Sequence, residues 1–302
     1  MPVRSYNNPA AFKAALEQRI KDAAKRKGTS VNRYRQLLIF DRFLGRLQEQ
    51  FGEALIAKGG LALELRLEIA RTTKDIDVRL VGTSEQLPAR LQEAGRRDTG
   101  DWLQYEVQLR PPDESIIEGE GVVYEGFRFK VEARLAGKLY GDPFPLDVAF
   151  GDVLTGVVEE REGSDFLEFI GARRSLLRLY PRETHVAEKL HAYTLPRPEG
   201  RTNTRVKDLV DITLLSRGES FEAGLLRQAL ENTFQFRDTH PLPAELPPPP
   251  ESWDKSYLTM REEHGLPWRS MPHVLEMARA FLDPVLRGEP GTWTAGASAW
   301  EP

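Results

Sequence analysis

The sequence predicts an α/β (α+β) fold, a mixed sheet with flanking helices over residues 1–178 followed by a helical bundle over 179–302. Three observations predict it. Apolar residues recur at helical spacing through the first fifty positions. Short alternating or β-branched runs then dominate between residues 54 and 150. From Pro181 onward the apolar pattern is helical again. At 302 residues the chain is long enough to bury a core without covalent staples. It has no cysteine, which excludes disulfides, thiolate zinc sites, iron–sulfur clusters and cysteine nucleophiles. No apolar run approaches the ~20 residues that span a bilayer. The N-terminus lacks an apolar signal-peptide core. A soluble cytoplasmic protein without membrane contact is therefore expected.

The elements follow in chain order. Residues 9–27 and 31–50 read as amphipathic helices, separated at Gly28-Thr29-Ser30 with Ser30 as N-cap. Ala54–Ala57 reads as a short strand, stopped by Lys58-Gly59-Gly60 and followed by a helix over 61–67. Asp75–Val81 alternates polar and apolar residues, as a half-buried strand does. Residues 84–96 look helical, and 102–109, 122–133 and 145–150 look like strands, with a further strand expected at 166–170. Helical spacing then marks 183–194, 206–216, 222–234, 255–264 and 272–286. The proline-rich stretch 241–250 reads as a stiff connector, and the tail from about 288 as weakly ordered. Asp152 reads as a turn residue.

Charge is unevenly distributed. The whole chain is at −4, yet residues 1–50 carry eleven basic and four acidic side chains, +7, leaving −11 for the rest. A basic segment of this kind suits an anionic partner such as RNA, and equally a solvated helix face. Arg173, Arg174, Arg178 and Arg182 extend the basic track, or are plain surface charge.

The chemistry concentrates in a few carboxylates. Asp75 and Asp77 stand two apart on a strand, so both point to one face. Neighbouring carboxylates resist joint ionisation unless a cation sits between them, and hard oxygen ligands suit Mg²⁺ or Mn²⁺. Gly59-Gly60 lies one helix upstream, where glycines and a helix N-terminus can cradle phosphate. Asp147 is a lone acid in the apolar run 145–150 and gains a partner if it shares that metal. Each feature also has a plain reading: exposed acids, an ordinary tight turn, an aspartate at a strand end.

A Gly-Gly helix start, an Asp-x-Asp strand and a third aspartate on a later strand together resemble the DNA polymerase β-like nucleotidyltransferase superfamily. Four stretches narrow the resemblance. They are Lys58-Gly59-Gly60-Leu61-Ala62-Leu63, Arg71-Thr72-Thr73-Lys74-Asp75-Ile76-Asp77, residues 183–192 around His185 and Lys189, and Arg205-Val206-Lys207-Asp208-Leu209-Val210-Asp211. In that order they look like the motifs of AbiEii-type nucleotidyltransferases, the toxins of AbiE/MenAT-like toxin–antitoxin systems. The similarity covers most of residues 50–216. One departure is Gly60, where many members carry serine, so a hydroxyl is missing beside the phosphates.

The resemblance implies a polymerase β-like mixed sheet and a Mg²⁺- or Mn²⁺-dependent transfer of a nucleotide from an NTP. By the habit of MenT-type members the acceptor is a tRNA 3′ end, and a cognate antitoxin is the partner. It implies that Gly59 and Gly60 hold the triphosphate and that Asp75 and Asp77 bind metal, with Asp147 as third carboxylate. Lys189 and Asp211 match the family's lysine and last-motif aspartate. Lys58, Arg205 and Lys207 are further candidates for phosphate contacts. Asp211 would orient Lys189 or accept the attacking hydroxyl's proton. As surface residues instead, Lys189 would pair with Glu188 or Asp208, and Asp208 and Asp211 would share a solvated helix face. His185 and His191 read as packing or hydrogen-bonding residues, since no zinc-like cluster accompanies them. A non-catalytic nucleotide or RNA binder, a protein-nucleotidylating enzyme and a metal-dependent nuclease are the alternatives.

Overall fold

The computed structural model describes residues 6–67, 72–82, 84–111, 116–119, 122–151, 153–197 and 201–302, with backbone alone for 116–119 and 122–125. Arg71 and Asp152 lie outside the described residues.

Helices α1 (Pro9–Lys27) and α2 (Val31–Phe51) form where apolar spacing predicts them. Their ends are satisfied locally: Asn8 Oδ1 accepts from the Ala11 amide at 2.8 Å and Ser30 Oγ from the Arg33 amide at 3.1 Å. A 3₁₀ turn over Gly52–Ala54 leads into β1 (Leu55–Lys58), and α3 (Gly59–Arg66) starts at the next residue. After β2 (Ile76–Leu80) comes α4 (Leu87–Arg96), then β3 (Leu103–Leu109), β4 (Ile116–Gly119), β5 (Val122–Leu135), β6 (Lys138–Leu139) and β7 (Phe144–Ala149). Strands β8 (Glu159–Glu162) and β9 (Leu176–Leu179) complete this part. Helices α5 (Arg182–Thr194), α6 (Val206–Gly218), α7 (Ala223–Arg237), α8 (Trp253–His264) and α9 (Met271–Leu286) follow.

The sheet order is β3-β5-β7-β2-β1-β9-β8, with β4 and β6 also paired to β5. It is mixed, as expected: β2 runs parallel to β7 and antiparallel to β1, while β1 runs parallel to β9. Helices α1, α2 and α4 supply the apolar faces that close over it, from Phe12 through Phe43 to Leu91, all buried. A second buried cluster joins α5 through α9, and Leu63 of α3 belongs to it. The α3 helix thus leans on both clusters at the place where the glycines sit.

Two expectations fail. Residues 168–170 form a 3₁₀ turn rather than a strand; Phe169 is buried against Phe12 and Tyr6 without a strand partner. The tail is not weakly ordered: β11 (Thr292–Thr294) pairs with β10 (Phe221–Glu222) and with β12 (Ala299–Glu301). Trp293, 1% exposed, packs against Phe281 at 5.1 Å between centroids and donates from Nε1 to the Ser216 carbonyl. One buried tryptophan fixes a segment that shows no apolar period. Strand β8 also escapes the sequence pattern, because Glu159–Glu162 holds no apolar residue; it pairs antiparallel with β9, where Arg178 faces Glu160. The proline-rich stretch is the expected connector, tied down by Arg279, whose guanidinium donates to the Leu246 carbonyl at 3.0 and 3.1 Å.

Candidate functional site

Pairing register sets the site. Lys58 stands opposite Asp77, Asp77 opposite Asp147, and Asp147 opposite Arg128, across β1, β2, β7 and β5. Residues directly opposite in paired strands project from the same face. The row therefore reads cation, carboxylate, carboxylate, cation. Its ends are engaged. Lys58 Nζ is 3.1 Å from Glu188 and sits 4.9 Å over the Tyr180 ring. Arg128 grips Asp147 with both arms, Nε to Oδ1 at 2.8 Å and Nη2 to Oδ2 at 2.6 Å. Among the described residues the Asp77 carboxylate makes no hydrogen bond or ion pair.

Gly59 explains why the first motif needs glycine. Its φ is +65°, and a Cβ there would stand 1.8 Å from Asp77 Oδ2. The start of α3 thus presses against the Asp77 carboxylate. No side chain caps this end of the helix, which leaves its first N–H groups available. Burial first, then the charges of Asp75 and Asp147, push the Asp77 carboxyl up to about 7, with Lys58 and Lys189 partly opposing. A nearby cation would relieve this excess negative charge.

Helices α5 and α6 close the other side. Lys189 Nζ donates to Asp208 Oδ1 at 3.0 Å and to Asp211 Oδ2 at 2.7 Å, and Asp211 is fully buried. A cavity of about 190 Å³ joins Lys58, Gly59, Asp77 and Asp147 from the sheet side to Lys189 and Arg205 from the helices. Asp211 lies behind Lys189, one shell away from the space. Asp75 stands just before β2, bonded to the Thr73 hydroxyl and close enough to act on Asp77. Gly60 is buried inside α3, and Lys207 is exposed; neither lines the cavity. Lys207, the candidate for a phosphate contact, faces solvent on α6.

Among the described residues no three His, Asp or Glu side chains are assembled as a metal cage. Both oxygens of Asp147 are bonded to Arg128. Asp75 and Asp77 are a donor pair that suits Mg²⁺, which commonly takes one or two carboxylates and fills its shell with water and phosphate oxygens.

Sequence reasoning missed three contributors. Arg128 is one of several basic residues along β5, and only register sets it opposite Asp147. Glu188 is held near 2: burial alone would raise it, but Lys58, Arg237 and the Tyr180 hydroxyl outweigh that. His185, 3% exposed, lines the cavity with its Nδ1 unbonded, kept neutral by burial and by Lys189 and Arg66. The His-x-x-x-Lys spacing places it one turn before Lys189, the signal that was available. His191 packs against Phe234 and His240, as a structural histidine does.

The basic segment is less free than its count suggests. Arg42 and Arg46 are buried on Asp101, Arg35 pairs with Glu17 and Arg33 with Glu64. Arg174, Arg178 and Arg182 likewise face Glu168, Glu160 and Glu183. Lys21, Lys25 and Arg26 on α1 stay exposed without an acid partner among the described residues.

Among the described residues no helix is long and apolar enough to cross a membrane. A sequence model described as nucleotidyl transferase AbiEii toxin, type IV toxin–antitoxin system, matches residues 42–291. No curated protein matches the chain. Among solved structures it is similar to MenT4, a nucleotidyltransferase toxin from Mycobacterium tuberculosis H37Rv, with 17% identity and a TM-score of 0.48 over 72% of this chain and 68% of that one. It is also similar to JHP933 from Helicobacter pylori, with 15% identity and a TM-score of 0.40 over 68% and 80% of the two chains.

Proposed function

The chain belongs to the AbiEii nucleotidyl transferase toxin family of type IV toxin–antitoxin systems, and on that premise we propose that it moves a nucleoside monophosphate from an NTP to an RNA acceptor, the 3′ end of a tRNA. A cognate antitoxin would hold this activity in check. The observation that carries the reading is the contact between the open start of α3 and Asp77, with Lys189 across a shared cavity.

The residues divide the work as follows. The open start of α3, at Gly59, binds the triphosphate. Asp75 and Asp77 would hold Mg²⁺ or Mn²⁺, which when bound neutralises phosphate charge and orients the reacting oxygens. Lys189 meets the departing phosphates as a compact cation. Asp211, buried and bonded to it, fixes the position of that ammonium rather than taking a proton from solvent-borne substrate. Arg205 adds charge at the helical rim. The acceptor hydroxyl's oxygen bonds to the α-phosphorus and its proton passes to solvent water, as the bond from the α-phosphorus to the bridging oxygen breaks and pyrophosphate leaves. Catalysis here is positioning and electrostatics more than covalent chemistry. The exposed lysines of α1 give an RNA backbone a salt-sensitive hold.

The test is transfer of label from each α-³²P-NTP, with Mg²⁺, to total tRNA. Label in RNA that disappears in Asp77→Ala and Lys189→Ala supports the reading. Label in protein favours a protein-nucleotidylating enzyme, tight nucleotide binding without turnover favours a binder, and shortened RNA favours a nuclease.

A further inference from the structure

We propose that Arg128 withholds Asp147 from the metal site, so that a divalent cation is held by Asp75 and Asp77 as its protein carboxylates. This rests on the reading of Asp75 and Asp77 as metal ligands.

Asp77, Asp147 and Arg128 are consecutive members of one cross-strand row. Asp147 stands between the other two, on the strand that pairs with both. The two parallel bonds, at 2.8 and 2.6 Å, are the fork geometry in which arginine satisfies both oxygens of a carboxylate at once. A cation arriving beside Asp77 therefore meets an Asp147 whose two oxygens are already bonded. The opposite end of the row is closed in the same manner, because Lys58 is committed to Glu188. Asp77 is left as the member of the row without a bonded cation, with Asp75 beside it. The Arg128 side chain is 43% exposed, against 12% for Asp147, and of the two only Asp147 lines the cavity. The hydrogen bond with Asp147 also strengthens the hold of Arg128 on its proton.

The prediction concerns metal affinity, independent of turnover. Mn²⁺ binding to the full chain is followed by the electron paramagnetic resonance signal of the free ion, for wild type, Asp77→Asn, Arg128→Gln and the double variant Arg128→Gln/Asp147→Asn. Thermal melts show that each is folded. Arg128→Gln uncovers a carboxylate beside the cation and should tighten Mn²⁺ by about tenfold or more. The double variant removes a balanced pair and should return to wild-type affinity, while Asp77→Asn should weaken binding by at least about tenfold. Unchanged affinity in Arg128→Gln, or a folded double variant as weak as Asp77→Asn, overturns the proposal and leaves the Asp75–Asp77 reading standing. Wild type that binds Mn²⁺ no better than Asp77→Asn overturns both.

Discussion

Replacing Gly59 by alanine tests the centre of the site with one methyl group. The added Cβ would lie 1.8 Å from Asp77 Oδ2 and 2.6 Å from its Cγ, whereas real Cβ atoms essentially never come within 3.0 Å of another heavy atom. The carboxylate oxygen must therefore retreat by at least about 1.2 Å, the difference of those two distances. A displacement of ~1 Å in a catalytic group typically costs about 10²-fold in rate. The φ of +65° adds roughly 1–2 kcal/mol of backbone strain for a residue with a side chain. For a chain of this size that strain lowers the melting temperature by only a few degrees, at about 2–4 °C per kcal/mol. The expected variant is therefore folded at 25 °C, melts slightly early and transfers label to RNA about a hundredfold more slowly. The assay is initial rate of NTP-to-tRNA transfer beside a circular dichroism melt. A Gly59→Ala protein that keeps wild-type rate would refute the claim that the helix start and Asp77 form one unit.

Three further outcomes follow from the same geometry. In Asp77→Asn, the pH dependence of stability should change in one direction. The folded carboxyl lies near 7, above its ordinary 3.8, so in wild type this group's favourable contribution is complete below about 4 and lost as pH rises through 7; chelated wild type should lose melting temperature relative to Asp77→Asn across that window. Asp211→Ala leaves Lys189 without its buried partner and should cost about 3–5 kcal/mol in urea unfolding, well above the effect of an exposed substitution. Trp293→Ala empties a packed site at the end of the chain and should cost about 3–5 kcal/mol; a loss under about 1 kcal/mol would return the tail to the weakly ordered state its composition suggests.

Much of this protein was legible in one dimension. Apolar spacing placed α1 and α2 almost to the residue, because amphipathic helices of about twenty residues carry several full turns of signal. The alternation at 75–81 located β2, and the glycine pair located the turn before α3. Short strands were less visible. Glu159–Glu162 has no apolar side chain to betray it, and Thr292–Thr294 is held by a single tryptophan. The basic count of the first fifty residues was correct as arithmetic and misleading as surface, since Arg42 and Arg46 are spent on a buried aspartate beyond residue 100.

The sequence by itself determined which residue types are present for phosphate chemistry and on which local elements they ride, since helix and strand periods are written in nearest-neighbour order. The tertiary structure alone decided their partners. That Asp147 belongs to Arg128, that Lys58 belongs to Glu188 and that Lys189 rests on Asp211 are facts of strand register and helix packing. Such pairings join positions from 19 to 130 residues apart. No local pattern encodes them, because register is chosen by the whole sheet when it buries its face.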